Sequence, residues 1–213
     1  MSVDAVKEYY EEPNRWKWIV NSFVYKNYFK KQESIILGLI NEYIGKKKNK
    51  KLLDAGCGYG RYTKKFFEFG FDVYAVDLSE SMIQNVKEFC TDFEISDLTS
   101  TKFEDNFFDV VTSIEVFDHL ESPESAIQEF KRVLKNDGML LFTIFNRKSI
   151  FYYLHRILRV IFKVIRLNIG TPISKGYTIE EMKEMLNGNF KQYEIIPLYH
   201  IFPTPLQYVA IAK

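Results

Sequence analysis

Cysteine is scarce in this chain. Only Cys57 and Cys90 occur among 213 residues, one in a glycine-rich turn and one in a helical pattern, so neither a disulfide framework nor a zinc site is expected. Charge of one sign is missing too: Lys plus Arg number 29 against 28 Asp plus Glu, a balance that argues against a chain built to coat nucleic acid. No run reaches the ~18 uninterrupted apolar residues of a membrane span, and MSVDAVKEYYEEPNRWKW at the start lacks the apolar core of a signal peptide. A reducing, cytoplasmic setting is therefore expected. Repeats and low-complexity tracts are absent as well.

What is present describes one ordinary α/β globule. The chain is 46% hydrophobic and 27% charged, and its length suits a single domain with its own core. Aromatic residues make up 16% and cluster at Tyr9, Tyr10, Trp16, Trp18, Phe23, Tyr25, Tyr28 and Phe29, then at Phe151, Tyr152 and Tyr153. Helix packing onto a sheet is the favoured account of them, a substrate pocket the other.

From residue 51 onward, short apolar runs alternate with helical segments, the pattern of parallel strands joined by crossover helices. Strands are predicted at Lys51 to Ala55, Asp72 to Val76, Phe93 to Ser96, Phe108 to Ile114, Met139 to Phe145, Lys191 to Ile196 and Gln207 to Ala212. Helices are predicted at Tyr62 to Phe69, Glu80 to Phe89, Pro123 to Leu134 with Ser122 as N-cap, and from about Ser149 to Leu167. Asp137-Gly138 reads as the turn into the fifth strand, and Thr178-Ile-Glu-Glu181 as a capping box opening a helix that ends at Asn187-Gly188. The resulting organisation is a single domain, 1–213: an N-terminal helical cap (1–50), a cofactor-binding core (51–145), a lid or interfacial insertion (146–176), and a closing helix and strands (177–213).

The segment Lys51-Leu-Leu-Asp54-Ala-Gly56-Cys57-Gly58-Tyr-Gly60-Arg61 is strand, glycine turn and helix start, where a backbone without β-carbons lets a ligand come close. A dinucleotide fingerprint needs G-x-G-x-x-G, yet Arg61 stands three after Gly58 and the glycine arrives early as Gly60. Asp54 would repel a pyrophosphate and attract a cationic amino-acid moiety, which suits S-adenosylmethionine with its ammonium and sulfonium. Asp77, at the end of the second strand about twenty residues after Gly56, can accept from both ribose hydroxyls; alternatively it is a helix N-terminal acid beside the cap Ser79. Asp97 follows the third strand and could take an adenine amino group while the Leu98 amide meets a ring nitrogen.

In order, Asp54-x-Gly56-x-Gly58-x-Gly60, Asp77, Ser96-Asp97, Phe103 to Val111 and Phe130 to Gly138 resemble successive motifs of the class I S-adenosylmethionine-dependent methyltransferases, from Leu52 to about Phe145. The resemblance implies a doubly wound, Rossmann-like α/β fold: a seven-stranded, mostly parallel sheet whose last strand is antiparallel. It also implies S-adenosylmethionine as cofactor and S-adenosylhomocysteine as product. Gly56, Gly58 and Gly60 would flank the methionine part, Asp77 the ribose, Asp97 with Leu98 the adenine, and Met82 the adenine face, with Cys57, Leu78 and Ile114 completing the cofactor-binding set. Asn136-Asp137-Gly138 departs from the more usual Pro-Gly-Gly turn.

Methyl transfer is a direct displacement, so positioning and water exclusion supply much of the rate. A base helps where the acceptor is a hydroxyl, and Ile114-Glu115-Val-Phe-Asp118-His119 supplies candidates, His119 first, with Glu115 and Asp118 beside it. A packing histidine is the equal alternative. This segment resembles the E-x-x-E-H stretch of ubiquinone-biosynthesis O-methyltransferases, but the short arm of Asp118 argues against a divalent cation, and no metal is predicted. Between 151 and 167, Arg156, Arg159, Lys163 and Arg166 share one arc of a helix while Leu154, Leu158, Ile161 and Ile165 share the other. A lid or dimer helix is favoured over a helix lying in a membrane interface. The acceptor is expected to be small or lipid-like, with oxygen favoured over nitrogen or carbon, no nucleic acid is expected, and the chain should be a monomer or homodimer. The alternatives are a non-catalytic S-adenosylmethionine-binding protein and, less favoured, a nucleotide-dependent oxidoreductase.

Overall fold

The computed structural model describes residues 23–45, 48–150, 152–154, 156–157, 175–201 and 204–213. Among them are strands β1 (Lys51–Ala55), β2 (Asp72–Asp77), β3 (Asp92–Ile95), β4 (Phe108–Ser113), β5 (Leu134–Phe145), β6 (Tyr193–Ile201) and β7 (Thr204–Ala212). Helices α1 (Phe23–Ile44), α2 (Arg61–Glu68), α3 (Glu80–Ile83), α4 (Pro123–Val133) and α5 (Ile179–Leu186) accompany them. The strands form one sheet in the order β3-β2-β1-β4-β5-β7-β6. The first five pair in parallel, and β7 runs antiparallel to both β5 and β6. Strand order reverses between β1 and β4, which opens a crevice at their carboxyl ends.

Alternation along the strands divides the core into two layers. Leu53, Val111, Leu140 and Phe142 face Ile127 and Phe130 of α4 and Met182 and Leu186 of α5. Their neighbours Leu52, Val110 and Leu141, with Val209 and Ile211, face Ile36 and Ile40 of α1 and Tyr62 and Phe66 of α2. Each such side chain, wholly withdrawn from water, contributes about 1.5–3 kcal/mol. Buried on both faces, β1 and β4 read as continuous apolar runs, whereas the edge strand β3 is partly exposed throughout.

Several expectations are corrected. The helix expected over Glu80 to Phe89 stops at Ile83 and resumes only as a 3-10 turn at Lys87–Phe89. The Asn85 side-chain amide donates to the carbonyls of Ser81 and Met82, competing with the helical ladder. Ser122, at φ −127° and ψ 77°, makes no side-chain cap, though Pro123 does open α4. The fifth strand begins at Leu134 rather than Met139: Phe108 pairs with Leu134 and Val110 with Met139, so Lys135 to Gly138 bulge out within β5. Gly138 is needed there, since a β-carbon would lie 2.9 Å from the Lys135 carbonyl oxygen. The sixth strand starts at Tyr193 rather than Lys191 and runs on to Ile201, since Pro197 lies on the edge strand where a missing N–H is tolerated, and β7 starts at Thr204 rather than Gln207.

The capping box forms in full. Thr178 N–H donates to Glu181 Oε2 at 2.8 Å and Glu181 N–H to Thr178 Oγ1 at 3.3 Å. The insertion leaves and returns at one place, Asn146 bridging in parallel with Tyr177. Residues 152–154 and 156–157 are helical, with the Tyr152 amide donating to Ser149 Oγ. The remainder of the predicted helix, including Arg159, Lys163 and Arg166, lies outside the described residues, as do the aromatics before Phe23. No helix among the described residues is long and apolar enough to cross a membrane.

Candidate cofactor and acceptor site

The glycine turn closes on the neighbouring strand: Gly56 and Cys57 N–H groups both donate to the Val76 carbonyl, at 2.8 and 3.1 Å. Gly56 and Gly60 each have φ 79° and Gly58 has φ 51°, a left-handed region that side chains rarely adopt. A β-carbon on Gly56 would lie 2.4 Å from Val116 Cγ2, and one on Gly60 2.4 Å from Val86 Cγ1. A β-carbon on Gly58 would make an ordinary contact with Met82 Sδ at 3.8 Å, so backbone conformation and not crowding calls for glycine there.

Asp77 joins this turn to the next. Its Oδ2 accepts from Gly58 N–H at 2.8 Å and its Oδ1 from Ser79 N–H at 2.9 Å, while Ser79 caps α3 through Met82 N–H. One carboxylate thus braces the glycine turn against the start of α3, held half-buried at the end of β2. Leu78 beside it is half-buried and Met82 buried. Asp97 Oδ1 accepts from the Thr99 amide and hydroxyl at 2.8 and 2.6 Å, which orients its carboxyl next to buried Leu98.

Asp54 lies beneath the turn, 2% exposed, with the Thr63 hydroxyl donating to Oδ2 at 2.7 Å and Thr112 reaching Oδ1 at 3.4 Å. Burial raises its pKa to about 6, against the opposing pull of both threonines. Burial also pushes the Cys57 thiol up, and Cys57 and Cys90 are both free thiols.

The segment after β4 does not bring its three candidates together. Glu115 sits at φ 62° with its N–H donating to Thr143 Oγ1 at 2.8 Å, and this left-handed turn aims its carboxylate at α1. Oε1 accepts from Tyr28 Oη and Gln32 Nε2, both at 3.1 Å, and Oε2 lies 3.6 Å from Arg61 Nη2. Asp118 is bound to the end of β5 instead. It is 1% exposed, accepts the Phe145 N–H through both oxygens at 3.2 and 3.3 Å, and is pushed well above the carboxylate range by burial. His119 ends a 3-10 turn over Phe117–His119 and is half-buried. Among the described residues no group of three His, Cys, Asp or Glu side chains could hold a metal ion.

Sequence reasoning missed the network that faces this segment. Gln32, wholly buried, accepts from Arg61 Nη2 at 2.7 Å and Tyr62 Oη at 3.0 Å and donates to Gln207 Oε1 at 2.8 Å. A signal was available: Tyr28, Gln32, Ile36 and Ile40 recur every four residues, so two polar side chains share the stripe that buries Ile36 and Ile40. Tyr177 and Lys175 were missed as well. Tyr177 Oη donates to the Phe117 carbonyl at 3.3 Å and the Lys175 N–H to the Asp118 carbonyl at 3.2 Å, which ties the returning insertion to the turn bearing His119.

A methyltransferase domain family model matches residues 53–142, the segment that carries the glycine turn, Asp77, Asp97 and the post-β4 turn. The matched segment, with the sheet order, is similar to the cofactor-binding core of the class I S-adenosylmethionine-dependent methyltransferases. The chain is 32% identical over 121 residues to a ubiquinone biosynthesis O-methyltransferase of Actinobacillus pleuropneumoniae, covering 50% of this chain and 52% of that protein. It is 30% identical over 112 residues to the protein of that name from Methylococcus capsulatus, covering 49% and 47%. The chain thus spans about half the length of the curated relatives it matches. By fold it is similar to the magnesium protoporphyrin IX methyltransferase of Synechocystis solved with S-adenosylhomocysteine, with TM-score 0.70, 19% identity and all of both chains covered. A possible histamine N-methyltransferase from Thermotoga maritima gives TM-score 0.72 at 15% identity, covering 99% of each chain.

Proposed function

We propose that the whole chain, as one domain, transfers a methyl group from S-adenosylmethionine to an oxygen of a small-molecule or lipid-like acceptor. The observation that carries this reading is the left-handed glycine turn beside a carboxylate already fixed by two amides, Asp77. Gly56, Cys57, Gly58 and Gly60 hold the methionine part, with Asp54 supplying negative potential from below. Asp77 and Leu78 bind the ribose, Asp97 and Leu98 the adenine edge, and Met82 its face, while Ile114 lines the floor. Bound there, S-adenosylmethionine supplies an electrophilic methyl carried on a sulfonium.

The chain's own residues orient, exclude water and move a proton. His119 takes the acceptor's proton at an imidazole nitrogen, and Asp118, through the Phe145 amide, holds the turn that presents it. Oxygen as the accepting atom is supported by the O-methyltransferase names of the half-length relatives. A lid role for the insertion 146–176 is supported by its return on the acceptor side, where the Lys175 N–H donates to the Asp118 carbonyl and the bridge residue that follows, Tyr177, to that of Phe117. The exposed Ile150, Tyr153, Leu154 and Ile157 at its start are 48–58% accessible, a face able to meet an apolar acceptor or a membrane surface in the cytoplasm.

The test is incubation with radiolabelled S-adenosylmethionine and a lipid and metabolite extract, resolving products by mass. Labelled oxygen-linked product is expected. Cofactor binding with no labelled product would favour a non-catalytic binding protein instead. The His119→Ala variant should lose about 100-fold or more in kcat, within the range for general acid–base groups, while S-adenosylhomocysteine affinity stays within about twofold. Equal loss of both would make His119 a packing residue.

A further inference from the structure

We propose that Glu129 and Arg132, an ion pair on α4, are positioning residues for the loop after β3 and thereby set how well the chain tells adenine from other purines. The inference rests on the S-adenosylmethionine reading of the pocket, in which Asp97 and Leu98 meet the adenine edge, and extends it to a helix 28 residues further along the chain. A carboxylate that accepts from an exocyclic amine, beside an amide that meets a ring nitrogen, discriminates between bases only if both are held still. The loop holds itself in part. Ser96 N–H donates to the Asp77 carbonyl at 3.1 Å, Ser96 Oγ to the Ser100 carbonyl at 2.9 Å and Ser100 N–H to the Asp97 carbonyl at 3.3 Å. Those bonds shape the turn and join its start to β2, and α4 fastens its far end.

Thr101 is the point of attachment. Its amide and its hydroxyl both donate to Glu129 Oε1, each at 2.7 Å. Glu129 is 8% exposed, and a carboxylate so withdrawn from water is costly unless it is paired and hydrogen-bonded. Arg132, one turn on, supplies the pairing as a fork: Nη2 donates to Oε1 at 2.6 Å and Nε to Oε2 at 2.8 Å. Burial pushes the Glu129 pKa up, but the hydrogen bonds from Arg132 and Thr101 outweigh it and hold the carboxylate below its ordinary value, charged at neutral pH. The same guanidinium gathers the rest of the segment, donating through Nη1 to the Phe103 carbonyl at 2.9 Å and Asp105 Oδ1 at 2.6 Å, and through Nη2 to the Thr101 carbonyl at 3.3 Å. Leu98 and Phe103 are buried in one cluster with Phe130 and Val133 of α4, so apolar packing and the ion pair tie the loop to one helix.

The test compares S-adenosylhomocysteine with S-inosylhomocysteine, which carries an oxo group where adenine has its amine, by calorimetry on the full chain. The unaltered chain should favour the adenine form by about tenfold or more, because the oxo group would face the Asp97 carboxylate with no hydrogen between them. Arg132→Met should cut that preference about threefold or more, as a reading group loses its support. Arg132→Lys, which keeps the charge and loses the fork, should cut it less, and Thr101→Val, which removes one of two donors, should also lower it. Lys135→Met breaks a neighbouring ion pair, with Asp109 at 2.9 Å, and should leave the preference unchanged. A preference that survives Arg132→Met and Thr101→Val, or that Lys135→Met lowers equally, overturns the proposal, as does equal binding of both nucleosides by the unaltered chain. If Arg132→Met does not fold, Arg132→Lys and Thr101→Val decide. Should the unaltered chain bind neither nucleoside, the reading of the pocket fails and this inference with it, an outcome distinct from a preference that the variants do not move.

Discussion

Replacing Gly56 by alanine separates two costs that the glycine turn conceals. At φ 79° an L-residue is disfavoured by roughly 1–2 kcal/mol for its backbone alone. The new β-carbon would also lie 2.4 Å from Val116 Cγ2 and 2.9 Å from Cγ1, and Val116 is β-branched and stiff, so overpacking adds about 1–3 kcal/mol. The sum is about 2–5 kcal/mol. Gly70 provides the control, since φ is 91° and nothing stands within 4 Å of an added β-carbon; Gly70→Ala should cost only the backbone part. Urea unfolding of both variants, and of Gly56→Ala combined with Val116→Ala, measures each term. The double variant should fall back toward the Gly70→Ala cost, because both close Cγ atoms are gone. Equal costs at positions 56 and 70, or no coupling between 56 and 116, would refute the claim that the post-β4 turn packs directly on the glycine turn.

Asp54 has its pKa raised from 3.8 to about 6 by burial, so the folded state favours its protonated form. The stability it contributes is full below about pH 4 and is lost as pH rises through about 6, a change of about 3 kcal/mol. Asp54→Asn should remove that slope from unfolding curves taken across the range, and an unchanged slope would assign it elsewhere. Asp77→Asn keeps one acceptor for two amides; S-adenosylhomocysteine affinity should drop about tenfold or more by calorimetry, and an unaltered affinity would leave Asp77 as a loop brace only. Thr178→Ala breaks the capping box of α5 and should cost about 1 kcal/mol, read as a melting shift of roughly 2–4 °C. A shift no larger than that of an exposed mid-helix change would contradict the cap.

How much was legible depended on how local the cause was. Lys51–Ala55, buried on both faces, announces itself as an apolar run, and Thr178 with Glu181 carries its own helix start within four residues. The bulge of β5 was illegible because Asn136-Asp137-Gly138 is turn chemistry, while pairing of Leu134 with Phe108 is a tertiary fact that overrides it. The helix after Ser79 was cut short by the Asn85 side chain, a competition that periodicity does not register.

The candidate site divides along the same line. The glycine spacing and the acids at the strand ends are visible because a parallel sheet presents its ligand groups at the ends of successive strands, in sequence order. The groups facing them come from elsewhere: Gln32 from α1, Gln207 from β7 and Tyr177 from the returning insertion. No spacing rule links residues 32, 115 and 207. What does mark them is polarity on an apolar face: Gln32 in line with Ile36 and Ile40, and Gln207 in line with Val209 and Ile211. Burying unpaired amides there would cost about 1–3 kcal/mol each, so a polar residue on such a stripe must have a partner. The crevice between β1 and β4 is the place in this fold with groups to offer one, and the search for a specificity-setting wall therefore begins on the first helix.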